Sequence, residues 1–345
     1  MGIREYGYQI GDGIPGENND ITDVPGVTAG HQTIADEKHQ TGVTVVIPCE
    51  GNVFLRKPVA AAYALNGFGK TMGTIQLEEL GVLETPIALT NTLNTGKVAD
   101  ALVAYTIEQC RKDGREVYSI NPVVGETNDC RINTIADRVV GEEDVLAAIA
   151  GAGKKIEQGN IGAGAGTVCF GLKGGIGSAS RVFSFGGKAY TIGVLVQSNY
   201  GRMADLTVAG HPVGRRIAKE IHDGVSEDKG SIMIIVGTDL PLTSRQLRRV
   251  IKRAAVGMIR CGSYMGHGSG DVFIGFSNGN CIGEQDEKSL ISLSGFPEGK
   301  MDLIFRLVGE ATEEAILNSM ICADAVIGLK GEIFHSLREF LLEKE

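Results

Sequence analysis

No apolar run in the chain approaches the roughly 18 residues that a membrane helix needs, and the first residues, Met-Gly-Ile-Arg-Glu-Tyr-Gly-Tyr, carry no apolar signal segment. Met1-Gly2 opens like a myristoylation site, but Tyr6 stands where Ser or Thr is required. A cytoplasmic protein is expected. Clustered positive charge is also missing. The net charge of −9 argues against nucleic acid or an anionic membrane as the main partner, since phosphate binding depends on grouped cations. The basic stretch from Arg245 to Arg260 reads as the solvated face of an amphipathic helix. The seven cysteines include no CxxC and no metal-ligand spacing, and their odd number fits reduced thiols better than a disulfide framework. There is no HExxH, and the six histidines form no recognisable triad with a GxSxG serine. The glycines of 162–177 do not spell GxGxxG, and the first glycine required before Gly69-Lys70-Thr71 falls on Ala64. Neither a metal nor a cofactor is expected. Tryptophan is absent and aromatics reach only 6%, whereas 49 glycines are scattered without a fibrous period, which implies tight turns and close backbone approaches.

What is present reads as a mixed α/β chain. At 43% apolar content, 345 residues suffice to bury a sizeable core, and no linker, repeat or low-complexity segment divides it, so one domain spanning 1–345 is expected. Extended, β-branched segments lie at 43–47, 86–89, 182–185, 190–197, 232–236 and 272–276. Helical patterns occupy 98–110 and 142–156, the latter opening on three acids that suit a positive helix N-terminus. The clearest helix follows Pro241. Thr243 and Gln246 have capping-box spacing, Leu247, Val250, Ile251, Ala254 and Met258 repeat on one face, and the end is expected near Gly262. A further helical region, 301–325, carries Glu313 and Glu314 before an apolar stripe of Ile316, Leu317, Met320 and Ile321. Helices segregated from strands in this way suggest a layered sandwich.

The most informative feature is a junction: Gly230-Ser231 stands directly before the apolar strand Ile232-Met233-Ile234-Ile235-Val236, with the polar stretch 223–229, expected to be flexible, just upstream. A serine here can attack the preceding carbonyl, cut its own chain and emerge as a new N-terminus, so that one residue holds both hydroxyl nucleophile and amine base. An α-amine titrates near ~8, leaving much of it as free base at neutral pH. Gly230 has no Cβ and can take a strained conformation that exposes its carbonyl. On residue types alone, an ordinary Gly-Ser turn is the plainer explanation and suffices for the dipeptide.

Segments along most of the chain set this junction in a pattern. They include Asn18-Asn19-Asp20-Ile21-Thr22-Asp23-Val24-Pro25-Gly26-Val27, Gly42-Val43-Thr44-Val45-Val46, Glu84-Thr85-Pro86-Ile87-Ala88-Leu89-Thr90-Asn91-Thr92 and Pro122-Val123-Val124-Gly125-Glu126-Thr127-Asn128-Asp129. Then follow Gly162-Ala163-Gly164-Ala165-Gly166-Thr167, Lys173-Gly174-Gly175-Ile176-Gly177-Ser178-Ala179-Ser180-Arg181, Gly193-Val194-Leu195-Val196-Gln197-Ser198-Asn199-Tyr200-Gly201 and Gly268-Ser269-Gly270-Asp271. In order and spread they resemble the family of L-aminopeptidase/D-esterase-amidases and β-peptidyl aminopeptidases, which are self-processing, N-terminal-nucleophile-like hydrolases.

The resemblance implies a four-layer αββα sandwich related to the ornithine acetyltransferase fold, cut into 1–230 and 231–345 and assembled as a homotetramer of processed heterodimers. It implies hydrolysis of N-terminal amino-acid amide, ester or peptide bonds through an acyl-enzyme on Ser231, with Asn199 as oxyanion donor and Glu126 pairing with the substrate ammonium. Ser269 and Asp271 would relay protons around the new amine, since Ser-x-Asp spacing puts both on one side of an extended segment. Asp271 is within the family pattern, where Glu or Asp occurs. Each residue also has a plainer reading: a turn Asn before Tyr-Gly, a loop acid at Glu126, a Ser-Gly-Asp turn. Asn128 and Asp129 are neighbours without an assigned role. Two positions depart from the pattern: His267 stands where a smaller polar residue is expected, and Ser198 where Ala is expected, which bears on the site's pKa and on pocket polarity. Acyl transfer to another amine and a processed, non-catalytic scaffold are the alternative functions. The preference among L-, D- and β-amino acid substrates stays open, because pocket shape decides it to within a methylene.

Overall fold

The computed structural model describes residues 2–221, 230–283 and 290–341. The stretch 223–229 lies outside the described residues. Thirteen strands matter here. In the N-terminal half they are β1 (Thr28–Ala35), β2 (Gln40–Ile47), β3 (Arg56–Gly67), β4 (Ile87–Asn91) and β5 (Val123–Thr127). A short hairpin, β6 (Val168–Cys169) and β7 (Leu172–Lys173), precedes the long pair β8 (Gly175–Phe185) and β9 (Lys188–Asn199). A second short hairpin, β10 (Thr207–Val208) and β11 (His211–Pro212), leads on to β12 (Ser231–Thr238) and β13 (Gly270–Gly283). The helices are α1 (Thr74–Leu80), α2 (Thr95–Lys112), α3 (Glu142–Ala150), α4 (Gly214–Glu220), α5 (Ser244–Ile251), α6 (Ala254–Arg260) and α7 (Met301–Ile321).

Two sheets lie face to face. One runs β1-β2-β4-β5 and the other β3-β13-β12-β9-β8. Side chains alternate along a strand, so each sheet offers two apolar faces. On β12, Met233 and Ile235 join Ile87, Leu89 and Val123 between the sheets, while Ile232, Ile234 and Val236 pack outward with Leu247, Met258 and Leu317 of the α5–α7 layer. Val43, Val45, Ala88 and Val124 turn the other way, onto Val98 and Leu102 of α2 and Val145 and Ala148 of α3. This is the expected αββα order of layers.

Five of the six expected strands fall within β2, β8, β9, β12 and β13, and the sixth, 86–89, overlaps β4 from Ile87 on. The capping box holds, with Gln246 N–H donating to Thr243 Oγ1 at 3.3 Å. Three expectations need correction. The helix after Thr243 breaks into α5 and α6 around Lys252 and Arg253. The helix expected over 142–156 stops at Ala150, because Gly151 caps it and Gly153 is drawn into backbone hydrogen bonds with Ala29 of β1. The basic face is only partly solvated: Arg245 and Arg249 both pair with Glu298, and the Arg253 guanidinium lies 4.0 Å from the centre of the Phe305 ring. Helix α7 carries more than an apolar stripe. It is buried almost all round from Leu307 to Ile321, with Glu314 held at 2.7 Å by both the fully buried Arg181 and Arg4.

Candidate active site

The apolar β12 must lie at the centre of its sheet to bury both faces, and that brings three strand ends together. Ser231, the first residue of β12, is paired with Asn199, the last of β9, and with Gly270, the first of β13. Gly230 passes so close to β9 that a Cβ on it would lie 2.0 Å from the Asn199 carbonyl oxygen. A glycine is therefore needed before Ser231 for space. The Gly270 N–H faces both parts of the junction, donating to the Gly230 carbonyl oxygen at 3.1 Å and to Ser231 Oγ at 3.3 Å. Gly270 is itself confined, since a Cβ there would lie 2.5 Å from the Phe68 carbonyl oxygen.

The Asn199 amide is oriented by its surroundings. Its Oδ1 accepts from the Val168 N–H at 2.9 Å, which leaves the Nδ2 donor without an acceptor among the described residues, at the wall of a cavity of about 350 Å³. Val168 is steadied in turn by Lys173, whose buried ammonium donates to the carbonyls of Gly164 (3.0 Å), Thr167 (2.9 Å) and Gly174 (2.7 Å). Desolvation pulls the Lys173 pKa down to about 7, against the opposing pull of Cys169 and Asp129. Nearby, burial pushes the Asp129 carboxyl up to about 6 although Thr41 and Asn133 donate to it at 2.6 and 3.0 Å.

Glu126 stands on the opposite wall, in β5 beside Thr90 of β4. It is buried, and its carboxylate accepts from the Lys70 N–H at 2.8 Å and from the Thr92 hydroxyl. No cationic side chain pairs with it among the described residues. Such a carboxylate is a ready partner for an incoming ammonium group. The cavity is also lined by Gly230, Ser231, Phe68, Tyr200 and Arg131.

Thus Ser231, Asn199, Gly230 and Glu126 meet around one space. Ser269 and Asp271 are placed differently. The Ser269 hydroxyl donates to Asp271 Oδ1 at 2.6 Å, as their spacing requires, but Gly270 alone lies opposite Ser231. By strand alternation Asp271 shares the outward parity of Phe273 and pairs in the ladder with Ile232, one residue beyond the Ser231–Gly270 pair. Ser198 corrects an expectation: its hydroxyl hydrogen-bonds Ser319 on α7 at 2.6 Å, on the far face of β9, and contributes nothing to pocket polarity. His267 is exposed on the loop before Gly268. Asn128 lines the cavity, with Oδ1 turned back to the Cys130 N–H at 3.1 Å. Sequence reasoning missed Val168, Lys70, Thr92 and Lys173. The first two act through main-chain N–H groups, which no side-chain pattern announces.

The peptidase family S58 profile matches residues 19–334, nearly the whole chain. The chain belongs to peptidase family S58. The β-peptidyl aminopeptidase BapA of Sphingosinicella microcystinivorans is 39% identical over 343 residues, covering 92% of this S58 chain and 85% of the relative. A solved structure from Pyrococcus horikoshii superposes with a TM-score of 0.92 at 43% identity, covering 99% of this chain and 98% of that one. The L-aminopeptidase D-Ala-esterase/amidase of Ochrobactrum anthropi, described as a prototype for the serine aminopeptidases and a new variant among the Ntn hydrolase fold, gives 0.89 at 33% identity, covering 99% and 96%. This S58 member is therefore a hydrolase of the peptidase class with an Ntn-type fold. No helix among its described residues is long and apolar enough to cross a membrane.

Proposed function

We propose that this peptidase cuts its own chain between Gly230 and Ser231 and then uses Ser231 as an N-terminal nucleophile to release N-terminal residues from small peptides, amides or esters. The observation that carries the reading is the shared donor: one N–H, from Gly270, faces both the Gly230 carbonyl oxygen and Ser231 Oγ. Attack of Oγ on the Gly230 carbonyl carbon puts negative charge on the oxygen that this N–H already contacts. Collapse breaks the Gly230–Ser231 C–N bond, the hydroxyl proton passes to the nitrogen, and water hydrolyses the ester to give a carboxylate at Gly230 and a free amine on Ser231.

The mature cycle repeats this on a substrate. The Ser231 amine takes the proton from its own Oγ, Oγ forms an acyl-enzyme, and the leaving amine is protonated before water enters. The Asn199 Nδ2 receives the oxyanion, its orientation held by the Val168 N–H. Glu126 pairs with the substrate ammonium. The Ser269–Asp271 pair supports the new amine.

The first test compares wild type with Ser231→Ala by intact mass and N-terminal sequencing, together with turnover of L-, D- and β-amino acid p-nitroanilides. The expected result is cleavage into pieces of two-thirds and one-third of the 36.5 kDa chain, the smaller starting at Ser231, with release of nitroaniline. The mutant stays whole and inactive. A wild-type chain that stays whole yet turns over substrate would refute the self-made nucleophile, and cleavage without hydrolysis would refute the peptidase cycle.

A further inference from the structure

Lys173 is a fully buried cation that pairs with no carboxylate among the described residues. It lies on β7, directly opposite Val168 of β6 in the ladder of the short hairpin. The two strands turn through Phe170 and Gly171 at φ of 51° and 74°, the paired left-handed residues of a tight two-residue hairpin. The hairpin is clipped to the end of β9 and the residue after it, by the Val168 N–H on Asn199 Oδ1 at 2.9 Å and the Phe170 N–H on the Tyr200 carbonyl at 2.6 Å. An ammonium has three protons, and Lys173 has three acceptors, the carbonyls of Gly164, Thr167 and Gly174. A neutral amine would leave one of them without its donor. The middle contact decides the rest. The Thr167 carbonyl and the Val168 N–H are the two ends of a single peptide group: the oxygen accepts from Lys173 Nζ at 2.9 Å and from the Gly174 N–H at 3.0 Å, and the N–H donates to Asn199.

We infer that Lys173 is a positioning residue for hydrolysis, whose charge strengthens the Asn199 donor through two amide groups in series. The inference rests on the proposed role of Asn199 as oxyanion donor. Amide resonance links the oxygen of a peptide group to its N–H. A cation on the Thr167 oxygen makes the Val168 N–H a stronger donor, and that N–H on Asn199 Oδ1 makes Nδ2–H stronger in turn, as along any chain of hydrogen bonds in a low-dielectric interior. Burial of Lys173, Thr167 and Val168 keeps solvent from screening the charge. The same contacts fix direction, since an amide held by its oxygen presents its nitrogen to one place, and a preorganised donor needs no rearrangement when the oxyanion forms. Self-cleavage is expected to proceed without this relay, because the Gly270 N–H, not Asn199, faces the Gly230 carbonyl.

The test is a double-mutant cycle on p-nitroanilide hydrolysis, paired with a measurement that needs no turnover. Lys173→Met should still be cut, which reports a formed fold, and should lower kcat about 10-fold with KM little changed, less than the loss of the donor itself. Added to Asn199→Ala, the same substitution should change kcat by less than about 2-fold, because no donor is left to strengthen. Equal losses in both backgrounds, or a rise in KM at constant kcat, would overturn the relay in favour of a lysine that only ties the hairpin down. Lys173→Gln keeps N–H donors without the charge; its kcat should fall between wild type and Lys173→Met, and it carries the same cycle where Lys173→Met does not fold. In the uncut Ser231→Ala chain, the proton resonances of the Val168 amide and the Asn199 side-chain amide are compared with and without Lys173→Gln by ¹H–¹⁵N spectroscopy. Both are expected to move upfield as their polarisation weakens. Resonances that stay in place overturn the relay whether or not the enzyme hydrolyses substrate. Resonances that move, beside a wild type that hydrolyses nothing, would support the relay and refute only the peptidase cycle.

Discussion

At the scale of single residues, the two walls of the cavity predict two different kinetic defects. As the proposed oxyanion donor, Asn199 would act on charge that exists only in the transition state, so Asn199→Ala should lower kcat about 100-fold, the equivalent of ~3 kcal/mol, with KM changed little. Steady-state kinetics on the processed fraction checks this, and a rise in KM at constant kcat would count against the assignment. Glu126, as the proposed partner of the substrate ammonium, would act on the ground state. Glu126→Gln should raise KM for free-amine substrates about 10- to 100-fold, the worth of a charge-assisted hydrogen bond, while leaving N-acetylated esters no worse than before. Ser231, Asn199 and Glu126 were legible because side chains of those types recur in an ordered pattern. The groups that orient them were not. The Val168 and Lys70 N–H groups carry no residue signature, and Lys173 reads as a surface lysine until the fold wraps three carbonyls around it.

At the scale of elements, β-branched runs announced β2, β9 and β12, while β3 passed unnoticed because Ala60, Ala61 and Ala62 form its middle. Alanine has little β propensity, and only the neighbouring β13 makes an extended strand of it. Helix α7 was legible as a helix but not as a buried one, since Glu313 and Glu314 look solvated until Arg260 reaches the first and Arg181 and Arg4 the second. Arg181→Met in the uncut Ser231→Ala background should destabilise by about 3 to 5 kcal/mol, because Glu314 keeps its burial and loses a cation. Thermal unfolding reads the fall in Tm. The β1–β2 pair carries a pH dependence. His31 hydrogen-bonds Thr44 at 2.9 Å, and burial lowers its pKa from 6.5 to about 4. Between those values the unfolded chain binds the proton more tightly, so this contribution to stability is present above pH 6.5 and lost as pH falls toward 4. Asp129, raised to about 6, works in the opposite sense over an overlapping range. The comparison is therefore between chains: His31→Gln should lose less Tm than its parent between pH 7 and 4.5.

At the scale of the whole molecule, the strand order β3-β13-β12-β9-β8 interleaves the two sides of the Gly230–Ser231 junction. The two strands that follow the junction, β12 and β13, are inserted between β3 and β9, which precede it, and each of the two has a ladder to its own side's partner and one across. A single chain forms these ladders intramolecularly. If the junction is cut as proposed, the same core has to be found by two separate polypeptides, each of which alone exposes an incomplete sheet. After dilution from urea, the uncut Ser231→Ala chain should therefore regain structure at a rate independent of protein concentration. A wild type cut as proposed should refold with concentration-dependent, incomplete yield. A cut that leaves the native contacts in place thereby converts a reversible fold into a one-way assembly, whose persistence depends on never coming apart.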